Sequence, residues 1–147
     1  MNWKIKEFKK LKLEEIYNIL QLRNDIFIVE QECPYQDCDG KDEKSYHLFS
    51  EENGKIIAYL RILEKGVSYD EISIGRVCVE KSYRGKGISR KMMLKAIEFV
   101  ENNLNEDTIK IQAQAYLLDF YSSLGFKVVS KEYLEDNIPH IDMLYKK

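Results

Sequence analysis

At 147 residues, with 23 Lys and Arg against 25 Asp and Glu and a formal net charge of -2, the chain has the length of one domain and enough mass to bury a core. The mixed, near-neutral charge leaves no footprint for a nucleic-acid partner, and 44% hydrophobic residues with only 2 prolines and no low-complexity tract exclude a disordered chain. No apolar run reaches membrane-spanning length, and residues 1–6 alternate polar and apolar side chains instead of forming a signal core, so a cytoplasmic protein without a membrane partner is expected.

Trp3, Ile5 and Phe8, separated by lysines, predict an opening strand with one buried face. Leu13, Ile16, Tyr17, Leu20 and Phe27 recur at helical spacing and predict a helix from about residue 12 into the 23–30 region. Residues 31–44, with Pro34, Asp37, Asp39 and Gly40, break that pattern and form the longest irregular segment, of the kind that often carries binding. A strand over 46–50, an Asn53-Gly54 turn of type I′ and a strand over 55–63 follow. A second hairpin turns over 66–70 into a central strand holding Ile72, Ile74 and Val77 to Val79, where Gly75 suggests a bulge or a close backbone approach.

Ile88, Met92, Met93, Ala96, Ile97 and Val100 line the core face of a helix ending near Asn102. Ile109, Ile111, Ala113 and Ala115 alternate as a strand, residues 117–124 form a short helix stopped by Gly125, and two last strands occupy 126–129 and 140–145. The order predicts an α+β fold in which helices pack on a mixed, mostly antiparallel sheet, with 1–147 as one domain.

Between the central strand and its helix runs Arg84-Gly85-Lys86-Gly87-Ile88-Ser89. Glycine at 85 and 87 removes side chains where backbone N–H groups must close on an anion, and the helix start adds its positive dipole end. No Gly-x4-Gly-Lys-Ser/Thr run exists, and the third glycine of a dinucleotide fingerprint is replaced by Arg90. What remains, Arg/Gln-x-x-Gly-x-Gly/Ala after Val77-Cys78-Val79, resembles the coenzyme A loop of the GNAT acetyltransferase superfamily, with Ser89 in the last small position. The resemblance implies that Val77, Cys78, Val79, Arg84, Gly85, Lys86, Gly87, Ile88 and Ser89 bind acetyl-CoA. Gln114, standing where many members carry asparagine, is implied on the pantetheine amides.

A second motif, Phe120-Tyr121-Ser122-Ser123-Leu124-Gly125-Phe126, is similar to the superfamily helix that carries a general-acid tyrosine, which implies Tyr121 as the catalytic acid. Taken alone, Tyr121 reads more often as a buried aromatic packing a short helix. The base stays open: some histone-type members carry a glutamate on the central strand where this chain has Ser73, which leaves Glu30, Glu71, His47 and His140 as candidates.

Further runs resemble an ElaA-like branch of bacterial acetyltransferases: Arg23 through Phe27-Ile28-Val29-Glu30-Gln31, Cys33-Pro34-Tyr35, Asp39-Gly40, Ser73-Ile74-Gly75-Arg76-Val77, Ala113-Gln114-Ala115 and Glu135-Asp136-Asn137-Ile138-Pro139-His140-Ile141. Glu30, Arg76, Asp136 and His140 are read from these as an acceptor pocket, or alternatively as supports of the long loop and the last hairpin. Three cysteines, Cys33, Cys38 and Cys78, without a Cys-x-x-Cys pair support neither a disulfide framework nor a zinc ribbon, and with only two histidines no metal is expected. The resemblance implies an N-acetyltransferase moving an acetyl group from acetyl-CoA to a primary amine by direct attack in a ternary complex. The acceptor is a small-molecule amine or a peptide, and a homodimer is admitted. The alternative is an acyl-CoA-binding sensor without turnover.

Overall fold

The computed structural model describes residues 1–147. Period-two alternation in the first half builds four strands, β1 (Asn2–Glu7), β2 (Ser45–Glu52), β3 (Lys55–Leu63) and β4 (Ile72–Val79), which lie side by side in antiparallel order. β5 (Thr108–Gln114) runs parallel to β4, and β6 (Phe126–Val128), β7 (Tyr133–Glu135) and β8 (Ile138–Lys146) complete an eight-stranded sheet. Its order is β1-β2-β3-β4-β5-β8-β6, with β7 beside the first half of β8.

Two helices cover opposite faces. α2 (Ile88–Asn102) lays Met92, Met93, Ala96 and Val100 onto Leu48, Ile57, Leu60, Ile62 and Ile109, while α1 (Leu13–Arg23) packs Ile19 and Leu22 against Phe49, Tyr59 and Cys78. β3, apolar at most positions and buried from Ile56 to Leu63, is the shared wall between the two clusters. A short helix, α3 (Leu118–Ser123), sits beyond β5.

Several boundaries differ from the sequence reading. Phe8 leaves the first strand and opens a 3-10 turn, and Ala115 opens another instead of extending β5. The helix expected to run on to residue 30 stops at Arg23 and continues through Asn24–Glu30 with π-type winding, in which Gln31 N–H donates to Ile26 O and Cys33 N–H to Ile28 O, both at 3.1 Å. Apolar spacing does not separate this wider turn from an α-helix. β7, only Tyr-Leu-Glu, has no periodic signal; it is held by the two-residue Asp136-Asn137 turn, whose φ values of 51° and 64° suit a type I′ hairpin. The bulge expected at Gly75 falls one residue later. Tyr59 faces Cys78 and Arg61 faces Gly75, so β4 carries one extra residue, and Arg76 takes a φ of 53°.

The long 31–44 loop is fastened by a buried lattice of three arginines and three aspartates. Arg23, fully enclosed at 0% exposure, donates to Asp37 Oδ2 and to Asp42 Oδ1 at 2.8 Å each and to the Asp37 carbonyl at 2.9 Å. Arg61 donates to Asp39 at 2.6 and 2.8 Å and to Asp42 at 2.9 Å, and Arg76 to Asp37 Oδ1 at 2.8 Å. Tyr35 adds its hydroxyl to Asp37 Oδ1 at 2.6 Å. Burial alone would raise the Asp39 and Asp42 carboxyls, but hydrogen bonds and charge from Arg61 and Arg23 overcome it and hold both below the usual range.

Arg23→Met would leave Asp37 with Arg76 and Asp42 with Arg61 but without the enclosed cation they share, and is expected to lower the unfolding free energy by about 3 to 5 kcal/mol in a urea titration. Lys65→Ala, which removes an exposed pair with Glu106, should leave the midpoint where it is. Acid acts on the same network. Burial lowers the His47 imidazole, and Asp39 and Asp42 are lowered too, so all three bind protons more weakly folded than unfolded. Stability present above the unfolded pKa values is therefore lost as pH falls, first below about 6.5 through His47 and again below about 3.9 through the aspartates. Urea midpoints followed into acid should trace both stages; a midpoint that holds until the carboxylate range would contradict the first.

Candidate active site

β4 and β5 pair only where they begin, at Ile72 with Ile109 and Ser73 with Lys110, and then diverge. The divergence exposes one edge of β4. Glu80 N–H donates back to Ile57 O at 2.7 Å, so the two-residue alternation turns the N–H of Val79 to the other side, into the gap. The Val79 carbonyl on that edge is taken by Arg84 Nε at 2.9 Å, and Val77, two residues earlier, has the same sense. Cys78 is different: it pairs with Tyr59 on β3, its thiol is buried among Ile26, Phe49 and Tyr59, and burial pushes that thiol far up. Of the three residues expected at the cofactor, Cys78 has its side chain in the core and its backbone paired with β3, while Val79 turns its backbone toward the gap.

The turn before α2 has the form a phosphate cradle needs. Gly85 and Gly87 have φ of 77° and 75°, the left-handed region, and no atom lies within 4 Å of the position a Cβ would take on either. Gly87 precedes the first turn of α2 and no side chain caps it, so the opening N–H groups at Ile88 and Ser89 face outward with the positive end of the helix dipole. Ile88 contributes backbone alone, its side chain being core. Lys86 stands above the Tyr83 ring at 5.4 Å.

Arg84 anchors this turn. Besides Val79 it holds Glu30 through two bonds of 2.7 and 2.9 Å, a bidentate pair joining the end of the π-type segment to the end of β4. The hydrogen bond and charge of Arg84 lower the Glu30 carboxyl. Glu30, read from sequence as part of an acceptor pocket, does not line the cleft beyond the gap and lies instead on the arginine of the glycine turn.

On the other side of the gap lies a cleft of about 540 Å³. Ser73, Gly75 and Val77 of β4, Gln112 and Gln114 of β5, the 31–44 loop, Tyr69, Tyr121 and the β7–β8 hairpin with His140 form its walls. Tyr121 is 6% exposed, with its ring edge-on to Phe120 and Phe126 at 5.1 and 5.9 Å. Burial pushes this phenol well above its ordinary value, so it carries its proton at neutral pH. Arg76 reaches the cleft, but its guanidinium is held on Asp37, making it an anchor of the wall instead of a free cation for substrate. Asp136 lies in the hairpin turn and its carbonyl accepts from the Cys33 thiol at 3.4 Å. Gln112 was not singled out from sequence. The same period that places Gln114 on the cleft places Gln112 there too.

A mixed sheet that splits between a bulged central strand and its parallel neighbour, with a glycine turn opening a helix on one side of the split and a polar cleft on the other, defines an acyl-CoA N-acyltransferase fold. Residues 18–147 match the acetyltransferase (GNAT) domain, and the chain belongs to that family. ElaA of Escherichia coli is 37% identical over 145 residues, which cover 97% of this chain and 95% of that protein. The crystal structure of an acyl-CoA N-acyltransferase from Pseudomonas aeruginosa superposes with a TM-score of 0.93 at 37% identity, covering 99% of both chains. Crystalline Escherichia coli ElaA gives 0.92 at 36% identity, over 99% of this chain and 100% of that one.

Gly87→Ala tests the cradle. With open space around the position, its cost is conformational, about 1 to 2 kcal/mol for an L-residue in the left-handed region. Coenzyme A should bind more weakly by calorimetry, beyond the loss in folding stability. Unchanged affinity would remove this turn from the binding site.

Proposed function

We propose that the protein is an N-acetyltransferase that passes an acetyl group from acetyl-CoA to a primary amine by direct attack within a ternary complex. Family membership supports the acyl-CoA donor, and the observation that carries the reading is Tyr121, which faces the same cleft as the unpaired edge of β4. The substrate pyrophosphate would lie on the N–H groups of residues 85–89, with Lys86 alongside and Arg84 holding the turn. Pantetheine would extend along the gap, bonded to β4 and Gln114.

The chemistry follows from charges that must appear. As the amine adds to the thioester, its carbonyl oxygen becomes negative, and an N–H of Val77 or Val79 directed into the gap supplies a fixed donor. When the C–S bond breaks, its electron pair goes to sulfur, which needs a proton. A phenol near 10 is already a weaker acid than a thiol near 8.5, a difference of about 2 kcal/mol, and burial of Tyr121 steepens it. Delivery from Tyr121 is therefore coupled to C–S cleavage instead of preceding it.

Tyr121→Phe should reduce thiol release by about 100-fold or more while changing acetyl-CoA affinity little. Measuring both, across pH and with a panel of amines, separates the readings: full turnover in the variant removes Tyr121 as the acid, and acetyl-CoA binding with no thiol release from the wild type for any amine favours the sensor.

A further inference from the structure

The proton leaving the acceptor nitrogen needs a destination, and placement removes three of the four side chains considered for it. Glu30 is bound to Arg84, and Glu71 lines no part of the cleft. His47 is buried with Nδ1 2.7 Å from the Tyr59 hydroxyl and Nε2 2.8 Å from the Asp42 carbonyl, so neither ring nitrogen is open.

His140 is in the cleft. On β8 it stands opposite Gln114 of β5 and opposite Tyr133 of β7, so three neighbouring strands present these residues on one side of the sheet. Its ring stacks on Tyr133 with 25° between planes and centroids 6.3 Å apart. Its Nδ1 lies 2.7 Å from the Ile138 carbonyl oxygen. A carbonyl only accepts, so Nδ1 carries the hydrogen and donates it; in the neutral ring Nε2 then keeps its lone pair. No protein group bonds to Nε2.

Resting on the acetyltransferase reading, we infer that His140 is the general base of the reaction, with Nε2 taking the proton of the acceptor amine. One N–H bond of the amine breaks as its nitrogen forms the bond to the acetyl carbon, and the proton passes to Nε2, leaving an imidazolium that donates from both nitrogens. The C–S bond breaks with its pair on sulfur, which takes the Tyr121 proton. After product leaves, the imidazolium and phenolate return to their starting forms through solvent, so the net reaction is amine plus thioester to amide plus thiol. The Ile138 carbonyl, fixed in the β7–β8 hairpin, stabilises the imidazolium as well as setting the tautomer.

Tyr133 of β7 packs on this ring and donates to Asp142 of β8, and the cleft that the ring faces is lined by Asp39, Glu135, Asp136, Tyr35, Tyr69, Tyr121 and Cys33 together with the cations Lys41, Arg61 and Arg76. Of these carboxylates, Asp39 is held by Arg61 and Asp142 accepts from Tyr133.

The test compares wild type, His140→Asn and His140→Gln for thiol release from acetyl-CoA across pH with an amine the wild type uses. Asparagine can still offer an N–H to the Ile138 carbonyl but has no basic nitrogen. Both variants should bind acetyl-CoA normally, lose about 100-fold or more in kcat/KM at neutral pH, and recover as pH approaches the amine's own pKa of about 10. The acidic limb of the wild-type profile should vanish. A deficit of equal size at every pH, or none, overturns the inference. A separate readout is the nitrogen NMR of the His140 ring, where the Nδ1–H form is expected and the Nε2–H form would overturn the base while leaving wild-type turnover intact. Failure of the wild type to release thiol with any amine would instead overturn the enzymatic reading, and this inference with it.

Discussion

Six charged side chains hold the molecule in its working shape. Arg23 comes from α1, Arg61 from β3 and Arg76 from the bulge in β4, and all three converge on aspartates of a single loop. Ions taken out of water cost several kcal/mol each unless paired, so the loop has essentially one conformation in which all three arginines are satisfied. In that conformation Tyr35 and Asp39 become cleft walls. The arrangement also accounts for a non-glycine residue with positive φ in the middle of a strand. Arg76 is kept there by its two bonds to Asp37 and by the Tyr35 ring beneath its guanidinium at 5.4 Å.

Beyond the bulge, what matters is an absence of pairing. β-sheets satisfy backbone groups along every internal edge, yet β4 and β5 separate after two residue pairs, leaving donors in the middle of the fold. Such a gap stays open because its two sides are braced independently: β4 by β3 and the lattice, β5 by seven register pairs with β8. The cradle, the donors and the cleft are three aspects of that one separation.

Much of this was legible in the sequence, and the parts that were not share a cause. Helical and strand periods report which face of an element is buried, and they located both helix stripes and most strands. The glycines at 85 and 87 announced their backbone conformation, since few other residues adopt it. Polar residues announced nothing comparable. Glu30, Arg76 and His140 looked alike as chemistry-bearing positions; only the fold shows that the first two are ion-paired and the third is open. Cys78 sits in the same Val-Cys-Val run as its neighbours, and strand alternation alone sends it to the opposite face. The aspartates at 37, 39 and 42 read as loop composition because their partners are up to 39 residues away in sequence. β7 was too short to carry a pattern.

The π-type stretch Asn24–Glu30 joins two of these fixed points. Arg23, just before it, is locked in the lattice, and Glu30, its last residue, is locked on Arg84. Seven residues therefore act as a strut between the cleft wall and the glycine turn, with length and phase both set. Each residue of this wide winding turns the chain by less than the roughly 100° of an α-helix, but still by enough that removing one would swing Glu30 away from Arg84 even with every other contact intact. The wide winding is thus a gauge: the one phase at which two separately anchored halves of the site stay in step.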